Sequence, residues 1–142
     1  MQIFLGADHG GFELKNQIAE HLKSLGYAVQ DFGTSSSASV DYPEYGHLVA
    51  EAVIANSGSL GIVVCGSGIG ISIAANKVKG VRAALCHSVE YARLARQHNN
   101  ANVLALGGRF VSNEAALEIV EAFLTTAFEG GRHQQRIDKI EK

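Results

Sequence analysis

A single cysteine, Cys65, stands where the sequence changes from a buried strand to a glycine-rich turn. The apolar residues 60–64 predict a short strand buried on both faces. The sequence GSGIG at 66–70 then leads into ISIAANK, which predicts the start of a helix. Backbone N–H groups converge at such a junction and favour an anion, either a phosphate or a developing oxyanion. The same environment favours the thiolate form of a cysteine. The stretch therefore predicts a reactive thiol beside an anion-binding turn.

The glycines of this turn also have simpler explanations. They follow the pattern G-x-G-x-G, and because position 71 is Ile71 the dinucleotide-binding pattern G-x-G-x-x-G is not met. A P-loop is excluded as well, because G-x-x-x-x-G-K-[ST] does not occur. A glycine-rich turn can serve only to let a helix pack closely on a sheet, and cysteine is among the most buried residue types. The turn alone leaves both catalysis and packing open.

Other chemically active side chains follow the remaining predicted strands. Asp8 and His9 come after the first strand, His87 after the fourth and Arg109 after the fifth. Ligands of open α/β sheets bind outside the carboxyl ends of the strands. If the first and third strands are neighbours, Asp8, His9 and Cys65 face one crevice and form an acid–base set. The simpler alternatives are that Asp8 caps a helix and that His87 is a turn residue.

A second group of residues is separated from Cys65 by the predicted topology. His98 and Asn99 end the helix after the fourth strand, and that helix runs back toward the amino ends of the strands. Either they cap the helix or they serve the site of a second subunit. Arg132 and Arg136 are four residues apart, on one helical face, as a clamp for a doubly charged anion requires. The alternative for these two arginines is a solvated charged surface.

Apolar runs and turn signals alternate along the whole chain. The predicted strands are residues 3–7, 27–32, 60–64, 81–85 and 103–106, and a helical pattern follows each of them. Five such alternations predict an α/β protein, a three-layer α/β/α Rossmann-like fold with a five-stranded parallel sheet. No internal repeat or linker interrupts the pattern, so residues 1–142 form one predicted domain that ends in a charged tail at 131–142.

Composition argues against several classes of partner. The 142 residues carry a formal net charge of −2, so no basic surface for nucleic acid is indicated. No stretch approaches the roughly 20 apolar residues of a membrane span. Cys65 and Cys86 do not form a disulfide framework, and no Cys/His spacing indicates a zinc site. We expect a reduced, cytoplasmic protein without a metal, a membrane partner or a nucleic-acid partner.

Five segments, in order along nearly the whole chain, carry a family resemblance. They are GADHGGFELK, TSSSASVDYPEY, VVCGSGIGISIAANKVKGVRAA, ARLARQHNNANVLALGGR and EGGRHQQRI. Together they resemble the ribose-5-phosphate isomerase B family, which includes relatives that act on galactose 6-phosphate and allose 6-phosphate. The resemblance implies metal-independent interconversion of an aldose phosphate and its ketose isomer through a cis-enediol, with no cofactor.

The resemblance also implies a role for each matching residue. Cys65 would be the base that moves a proton between C1 and C2, and the Ser67 hydroxyl would help to stabilise the enediolate oxygen. His98 would open the furanose ring, with Asp8 assisting at a ring hydroxyl. The other matches are substrate contacts: the amides of Gly66, Gly68, Ile69 and Gly70 for the enediolate, Tyr42 and Asn99 in the pocket, and His9, Arg109, Arg132 and Arg136 for the phosphate.

The resemblance further implies a sugar-phosphate site shared between two subunits of a homodimer, or of a tetramer built from dimers, with the C-terminal tail at the subunit interface. Such sharing explains the distant position of His98. The leading expectation is a ribose-5-phosphate isomerase of the non-oxidative pentose phosphate pathway. An allose-6-phosphate or galactose-6-phosphate isomerase would share the catalytic groups. A non-catalytic sugar-phosphate-binding module and a thiol redox protein are alternatives of other classes, and the redox protein lacks a resolving cysteine near Cys65.

Overall fold

A parallel sheet forms the centre of the structure, a computed structural model that describes residues 1–141. Its strands are β1 (Gln2–Ala7), β2 (Ala28–Asp31), β3 (Leu60–Cys65), β4 (Ala83–Leu85) and β5 (Val103–Gly107), in the order β2-β1-β3-β5-β4. The helices are α1 (Phe12–Ser24), α2 (Tyr42–Ala55), α3 (Ile69–Asn76), α4 (Val89–Asn99), α5 (Asn113–Thr125) and α6 (Arg132–Ile137). Every pairing in the sheet is parallel, which confirms the predicted fold class. Within residues 1–141, no helix combines the length and the apolar character needed to cross a bilayer.

Different helices cover the two faces of the sheet and produce the three predicted layers. On one face, α1, α4 and α5 pack together over a core that includes Ile18 and Phe123. On the other face, α2 and α3 pack over a core that includes Val49 and Ile71. β3 lies in the middle of the sheet and is buried along its whole length. Burial of each large apolar side chain stabilises the fold by about 1.5–3 kcal/mol, so the two cores hold the end of β3 in a fixed place.

β4 is shorter than the sequence predicts. The strand begins at Ala83 rather than at residue 81. The amide of Val81 donates to the carbonyl of Val78, which makes a turn there. The amide of Arg82 donates to the Asn102 side chain at 2.8 Å, so it does not join the ladder of the sheet. The strand is short because the amides of its first two predicted residues form a turn bond and a side-chain bond in place of ladder hydrogen bonds.

Both ends of α4 are well defined. Ser88 caps its start by accepting a hydrogen bond from the amide of Tyr91. The helix continues through Asn99 and stops where Asn100 adopts a left-handed backbone with φ 44°. His98 therefore lies in the last helical turn, as the sequence predicts.

The C-terminal segment folds back onto its own chain. α6 packs against α4, with His133 and Ile137 buried. Further along, a carboxylate oxygen of Glu141 accepts a hydrogen bond from the amide of Gly80 at 2.9 Å. The segment up to residue 141 is thus a docked helix and turn, while Lys142, the last residue of the predicted tail, lies outside the described residues. The role of this segment at a subunit interface stays a prediction.

Candidate active site

The loops after β1, β3 and β5 meet at the carboxyl edge of the sheet. β1 and β3 are neighbours, which confirms the adjacency on which the predicted crevice depends. The amide of Asp8 donates to the carbonyl of Val64 at 3.3 Å. From the other side, the amide of Gly108 donates to the carbonyl of Cys65 at 2.8 Å. The side chains that follow these three strands consequently share one crevice.

Two glycines allow the loops to approach each other closely. A Cβ atom on Gly10 would lie 2.9 Å from the amide nitrogen of Gly66. Gly68 has φ +79°, and a Cβ atom there would lie 2.5 Å from Cδ1 of Leu85. A larger residue at either position would separate the loops or distort the start of α3. Close packing is therefore a real requirement at these glycines, beside any role in binding.

The thiol of Cys65 points into the glycine-rich turn. Its Sγ accepts a hydrogen bond from the amide of Gly68 at 3.1 Å, and the residue is 5% exposed. Gly68 is the N-cap of α3, so the sulfur lies at the positive end of a helix. An N–H donor and a helix N-terminus both stabilise negative charge on sulfur. This geometry suits a thiolate that accepts and returns a proton.

Donors of the same turn remain available to an oxyanion. The amide of Ile69 donates to Oγ of Ser67 at 3.2 Å, which leaves the proton of that hydroxyl for another acceptor. Within the described part of the chain, the amides of Gly66, Ser67 and Gly70 donate to no protein acceptor. Free donors on the turn that holds the thiol are the groups from which an oxyanion hole is built.

Asp8 is the buried carboxylate of the crevice. Its Oδ1 accepts hydrogen bonds from the amides of Gly10 at 2.9 Å and Gly11 at 3.2 Å. One oxygen therefore holds the turn before α1. Asp8 does not cap the helix, because the N-cap is Gly11 and the helix has no side-chain capping hydrogen bond. Among residues 1–141, no group donates a hydrogen bond to Oδ2. Support of the turn and a ligand-binding role are compatible because they use different oxygens.

His9 and Arg109 line a cavity of about 320 Å³ beside this turn. Nδ1 of His9 accepts a hydrogen bond from the amide of Val40 at 3.2 Å, which makes Nε2 the protonated nitrogen in the neutral ring. The Arg109 guanidinium lies over Gly66, where a Cβ atom would come within 2.9 Å of Nη1. An imidazole N–H and a guanidinium close to an amide-rich turn suit a phosphate group.

Tyr42 closes the other side of the turn. It is the first residue of α2, with Pro43 next to it in the first helical turn. Its ring covers Gly70 so closely that a Cβ atom there would lie 2.6 Å from Cζ. The ring is 40% exposed and forms a wall of the crevice.

The second cysteine has a different environment from the first. Cys86 follows β4, is 1% exposed, and its thiol donates only a long hydrogen bond of 3.7 Å to the carbonyl of Ala84. Burial raises the pKa of the Cys86 thiol from 9.0 to about 11. A thiol that stays protonated in a dry site is a packing group, and it makes Cys86 a control for experiments on Cys65.

We expect the free energy of unfolding to fall between pH 9 and pH 11 through Cys86. Its pKa is about 11 in the folded protein and near 9.0 in the unfolded chain, so the unfolded chain releases its proton first as pH rises. Denaturant unfolding of the wild type and of Cys86→Ala should show a smaller alkaline loss for the variant. Parallel losses in both proteins would show that Cys86 is not buried as the structure has it.

His98 and Asn99 lie at the amino ends of the strands, whereas Cys65 lies at the carboxyl end of β3. The carbonyl of Asn99 accepts a hydrogen bond from Nε of Arg82 at 2.9 Å, and Arg82 precedes the first residue of β4. The amino and carboxyl ends of a six-residue strand are about 17 Å apart. The structure therefore separates these residues from the thiol of their own chain, as the topology predicts. A cavity of about 420 Å³ is lined by Asn99, Arg82 and Ile140 at this edge.

Two arginines that sequence analysis did not select hold the end of α4. Arg82 donates to the carbonyls of Asn99 and Asn100, and Arg96 donates to the carbonyl of Ala101 at 2.6 Å. Burial lowers the pKa of both guanidiniums, and the positive charge of Arg82 lowers that of Arg96 further. Nothing in the sequence distinguishes them from surface arginines, because their partners are backbone carbonyls, which any residue type provides.

Arg132 and Arg136 lie on α6, beside His98 rather than beside Cys65. Both are exposed. The buried residue between them is His133, whose ring stacks on that of His98 with centroids 4.4 Å apart and an interplanar angle of 15°. The sequence predicts no role for His133 or Glu129. Glu129 lies before α6, so the i, i+4 pairing of residues in one helix does not indicate their contact.

His98, Glu129 and His133 are the group most suited to hold a metal within residues 1–141. Their ligand atoms lie within 4.8 Å of one another. A cation bound by two imidazoles must lie close to both ring planes, at about 2.0–2.1 Å from each nitrogen. The two rings are stacked nearly parallel, so a cation in the plane of one lies off the plane of the other. The arrangement does not fit ligation of one metal by both histidines.

The sequence matches a family model described as Ribose/Galactose Isomerase over residues 3–140. Ribose-5-phosphate isomerase B of Escherichia coli (strain K12) is 51% identical over 139 residues, which cover 98% of this chain and 93% of the relative. Ribose-5-phosphate isomerase B of Mycobacterium leprae is 53% identical over 140 residues, which cover 97% of this chain and 86% of the relative.

Solved structures are similar over the same length. Ribose-5-phosphate isomerase B from Clostridium thermocellum superposes with a TM-score of 0.97 at 55% identity, covering 99% of this chain and 95% of that one. The enzyme from Mycoplasma genitalium, solved with bound ribulose-5-phosphate, gives a TM-score of 0.94 at 53% identity, covering 98% and 93%.

Proposed function

The chain belongs to the ribose/galactose isomerase family, and we propose that it is a ribose-5-phosphate isomerase with its site completed by a second copy of the chain. Its reaction is the interconversion of D-ribose 5-phosphate and D-ribulose 5-phosphate. Support comes from relatives of that activity at 51% and 53% identity and from a similar structure that holds ribulose-5-phosphate. One observation carries the site assignment: some of the predicted residues lie at the carboxyl ends of the strands, and the others lie at the amino ends.

Cys65 is the base that moves the proton. From the open-chain aldose it takes the proton on C2, and the electrons of that bond form the C1–C2 double bond of an enediolate. The C1 oxygen then gains a proton and the C2 hydroxyl loses one, and return of the first proton to C1 as the C2 carbonyl forms gives the ketose. C1 is reduced and C2 is oxidised within one molecule, so the step requires no external oxidant or reductant. The helix end and the Gly68 amide support the thiolate that this step needs.

The turn after Cys65 stabilises the intermediate. As C2 loses its proton, negative charge develops on the carbonyl oxygen of C1. The amides of Gly66, Ser67 and Gly70 and the hydroxyl of Ser67 are donors on the same turn as the thiol. Each good donor placed at the developing charge contributes about 2.7–4 kcal/mol to the barrier reduction in related oxyanion sites. Tyr42 forms the wall that keeps the sugar against these donors.

His98 opens the furanose ring in the partner's site. A two-fold symmetric dimer places the same two surfaces of each copy against each other. The carboxyl edge of one copy, with Cys65 and Asp8, then faces the α4 end of the other, with His98 and Asn99. Proton transfer to the ring oxygen breaks its bond to C1, and the C1 hydroxyl loses its proton as the aldehyde forms. The free oxygen of Asp8 suits a contact with a sugar hydroxyl.

The phosphate is held from both sides of the same interface. His9 and Arg109 lie on the copy that supplies the thiol, and Arg132 and Arg136 lie on the copy that supplies His98. A phosphate monoester carries nearly two charges at neutral pH, which several cationic donors match. Both copies contribute to each of two sites in a homodimer, and such dimers can pair further into a tetramer. The free thiols fit a reducing compartment, and we place the reaction in the cytoplasmic, non-oxidative pentose phosphate pathway.

The test of this function is turnover by the purified protein with and without EDTA. We expect rapid formation of D-ribulose 5-phosphate from D-ribose 5-phosphate, followed by the absorbance of the ketose, at a rate that EDTA leaves unchanged. Allose 6-phosphate and galactose 6-phosphate are assayed beside it at the same concentration. Turnover of a hexose phosphate alone would change the assigned substrate and leave the proposed reaction unchanged. Binding of ribulose 5-phosphate by a folded dimer that turns over none of the sugars would favour a non-catalytic binding protein.

A further inference from the structure

The ring of His98 is held by two residues to which the proposed mechanism gives no role. On one side His133 stacks flat against it, with ring centroids 4.4 Å apart. At its edge, Oε1 of Glu129 lies 3.9 Å from Nε2 of His98 and 3.5 Å from Nε2 of His133. Nε2 of both imidazoles therefore lies near one carboxylate, which acts on the His98 ring through its charge rather than through a short hydrogen bond. Together with the stacked ring of His133, this charge favours one orientation of the His98 ring.

Exposure distinguishes the three side chains. The side chain of His133 is 10% exposed, whereas those of His98 and Glu129 are 41% and 52% exposed. His133 thus forms a buried support, and His98 lies above it with access to a molecule arriving from outside. With Nε2 of His98 turned toward Glu129, Nδ1 is the nitrogen left for another partner.

The backbone keeps Glu129 in this place. Its amide donates to the carbonyl of Gln97 at 3.0 Å, one residue before His98. His133 is tied to the same segment, because its amide donates to the carbonyl of Gly130 at 3.2 Å. The segment is therefore attached to the last turn of α4. The carboxylate does not depend on a bound ligand to reach the histidine.

We infer that Glu129 and His133 are positioning residues that orient the His98 imidazole for proton transfer to the furanose ring oxygen. The inference rests on the proposed function, because it needs His98 as the ring-opening acid. The negative charge of Glu129 faces the nitrogen remote from the sugar and stabilises the imidazolium that donates the proton. His133 prevents the ring from turning away. Neither residue touches the carbons between which Cys65 moves its proton.

Ribulose 5-phosphate separates ring opening from proton transfer. Its furanose would need the C5 oxygen, which carries the phosphate, so this ketose is acyclic. In ²H₂O, the enzyme can exchange a C1 proton of ribulose 5-phosphate for deuterium through the enediolate without opening any ring. Ribose 5-phosphate, in contrast, is mostly cyclic and needs His98 before Cys65 can act. A defect confined to ring opening therefore lowers turnover of ribose 5-phosphate and leaves exchange into ribulose 5-phosphate intact.

The experiment compares Glu129→Gln and His133→Ala with the wild type. The first change keeps the shape of the side chain and removes its charge, and the second removes the ring that stacks on His98. We expect kcat for ribose 5-phosphate to fall about 10–100-fold, a part of what general acid catalysis contributes. KM and the rate of C1 deuterium exchange, followed by NMR, should stay within about twofold of wild type.

Glu121→Gln is the matched control. Glu121 faces Nε2 of His21 at 3.3 Å in a second, exposed Glu–His pair outside the candidate site. This variant should match the wild type in both assays. If Glu129→Gln loses turnover and exchange equally, the variant is damaged in general and the positioning role is overturned. If Glu129→Gln loses no turnover, the positioning role is overturned as well. Thermal unfolding of each variant checks that damage directly. A wild type with neither turnover nor exchange would instead contradict the proposed function itself.

Discussion

Cys65→Ala should abolish isomerisation in both directions and also the exchange of deuterium into ribulose 5-phosphate. In the proposed mechanism the thiolate carries the proton between C1 and C2, and no other base lies on the glycine-rich turn. General base catalysis contributes about 10²–10⁴-fold, so we expect kcat to fall by at least that factor. Ribulose 5-phosphate should still bind in a calorimetric titration, because its phosphate contacts are unchanged.

Cys86→Ala is the control for that loss, because Cys86 is also a buried cysteine but lies outside the site. Its turnover should equal that of the wild type. Cys65→Ala that keeps a tenth or more of the wild-type kcat would remove the thiol from the role of base. Loss of sugar-phosphate binding together with turnover would instead give Cys65 a structural role in the turn. Turnover and deuterium exchange together also distinguish the role of Cys65 from that of Glu129. Replacement of Cys65 should abolish the exchange, and replacement of Glu129 should leave it intact.

Sequence patterns predicted the part of the site that lies on one short stretch or follows directly from the sheet. The strand, turn and helix around Cys65 are local, so periodicity and glycines indicate them without knowledge of distant contacts. Asp8 reaches the same crevice because β1 pairs with β3, as parallel topology allows. The start of β4 was predicted wrongly for the opposite reason. There the Asn102 side chain, 20 residues away, replaces a ladder hydrogen bond of Arg82.

The group around His98 could be predicted only in part. Topology placed His98 away from Cys65, since a helix after a strand must run back along the sheet. The stacking of His98 on His133 depends on how α6 docks against α4, and a charged sequence such as RHQQRIDKIEK gives little sign of docking. His133 and Ile137 are buried at i, i+4 spacing within that sequence. This weak apolar stripe is the only local signal that the tail is a packed helix.

Two inactive variants should form an active enzyme when they are combined in one dimer. Cys65→Ala supplies an intact His98, and His98→Ala supplies an intact Cys65. If Cys65 of one chain and His98 of the other form each site, one of the two sites in the mixed dimer contains both groups. The second site contains neither. Dimers purified through two different tags should therefore turn over ribose 5-phosphate at about half the wild-type rate per dimer, by two-fold symmetry.

The matched control is a dimer of wild type with the double variant Cys65→Ala, His98→Ala. It contains the same substitutions in the same number, but both on one chain. A shared site predicts that each of its two sites lacks one group, so its turnover of ribose 5-phosphate should be close to that of the single variants. A site built within one chain predicts the reverse, with half of wild-type activity in this control and almost none in the mixed dimer. The two dimers together thus decide between a shared site and a site within one chain, because no single arrangement of Cys65 and His98 makes both active.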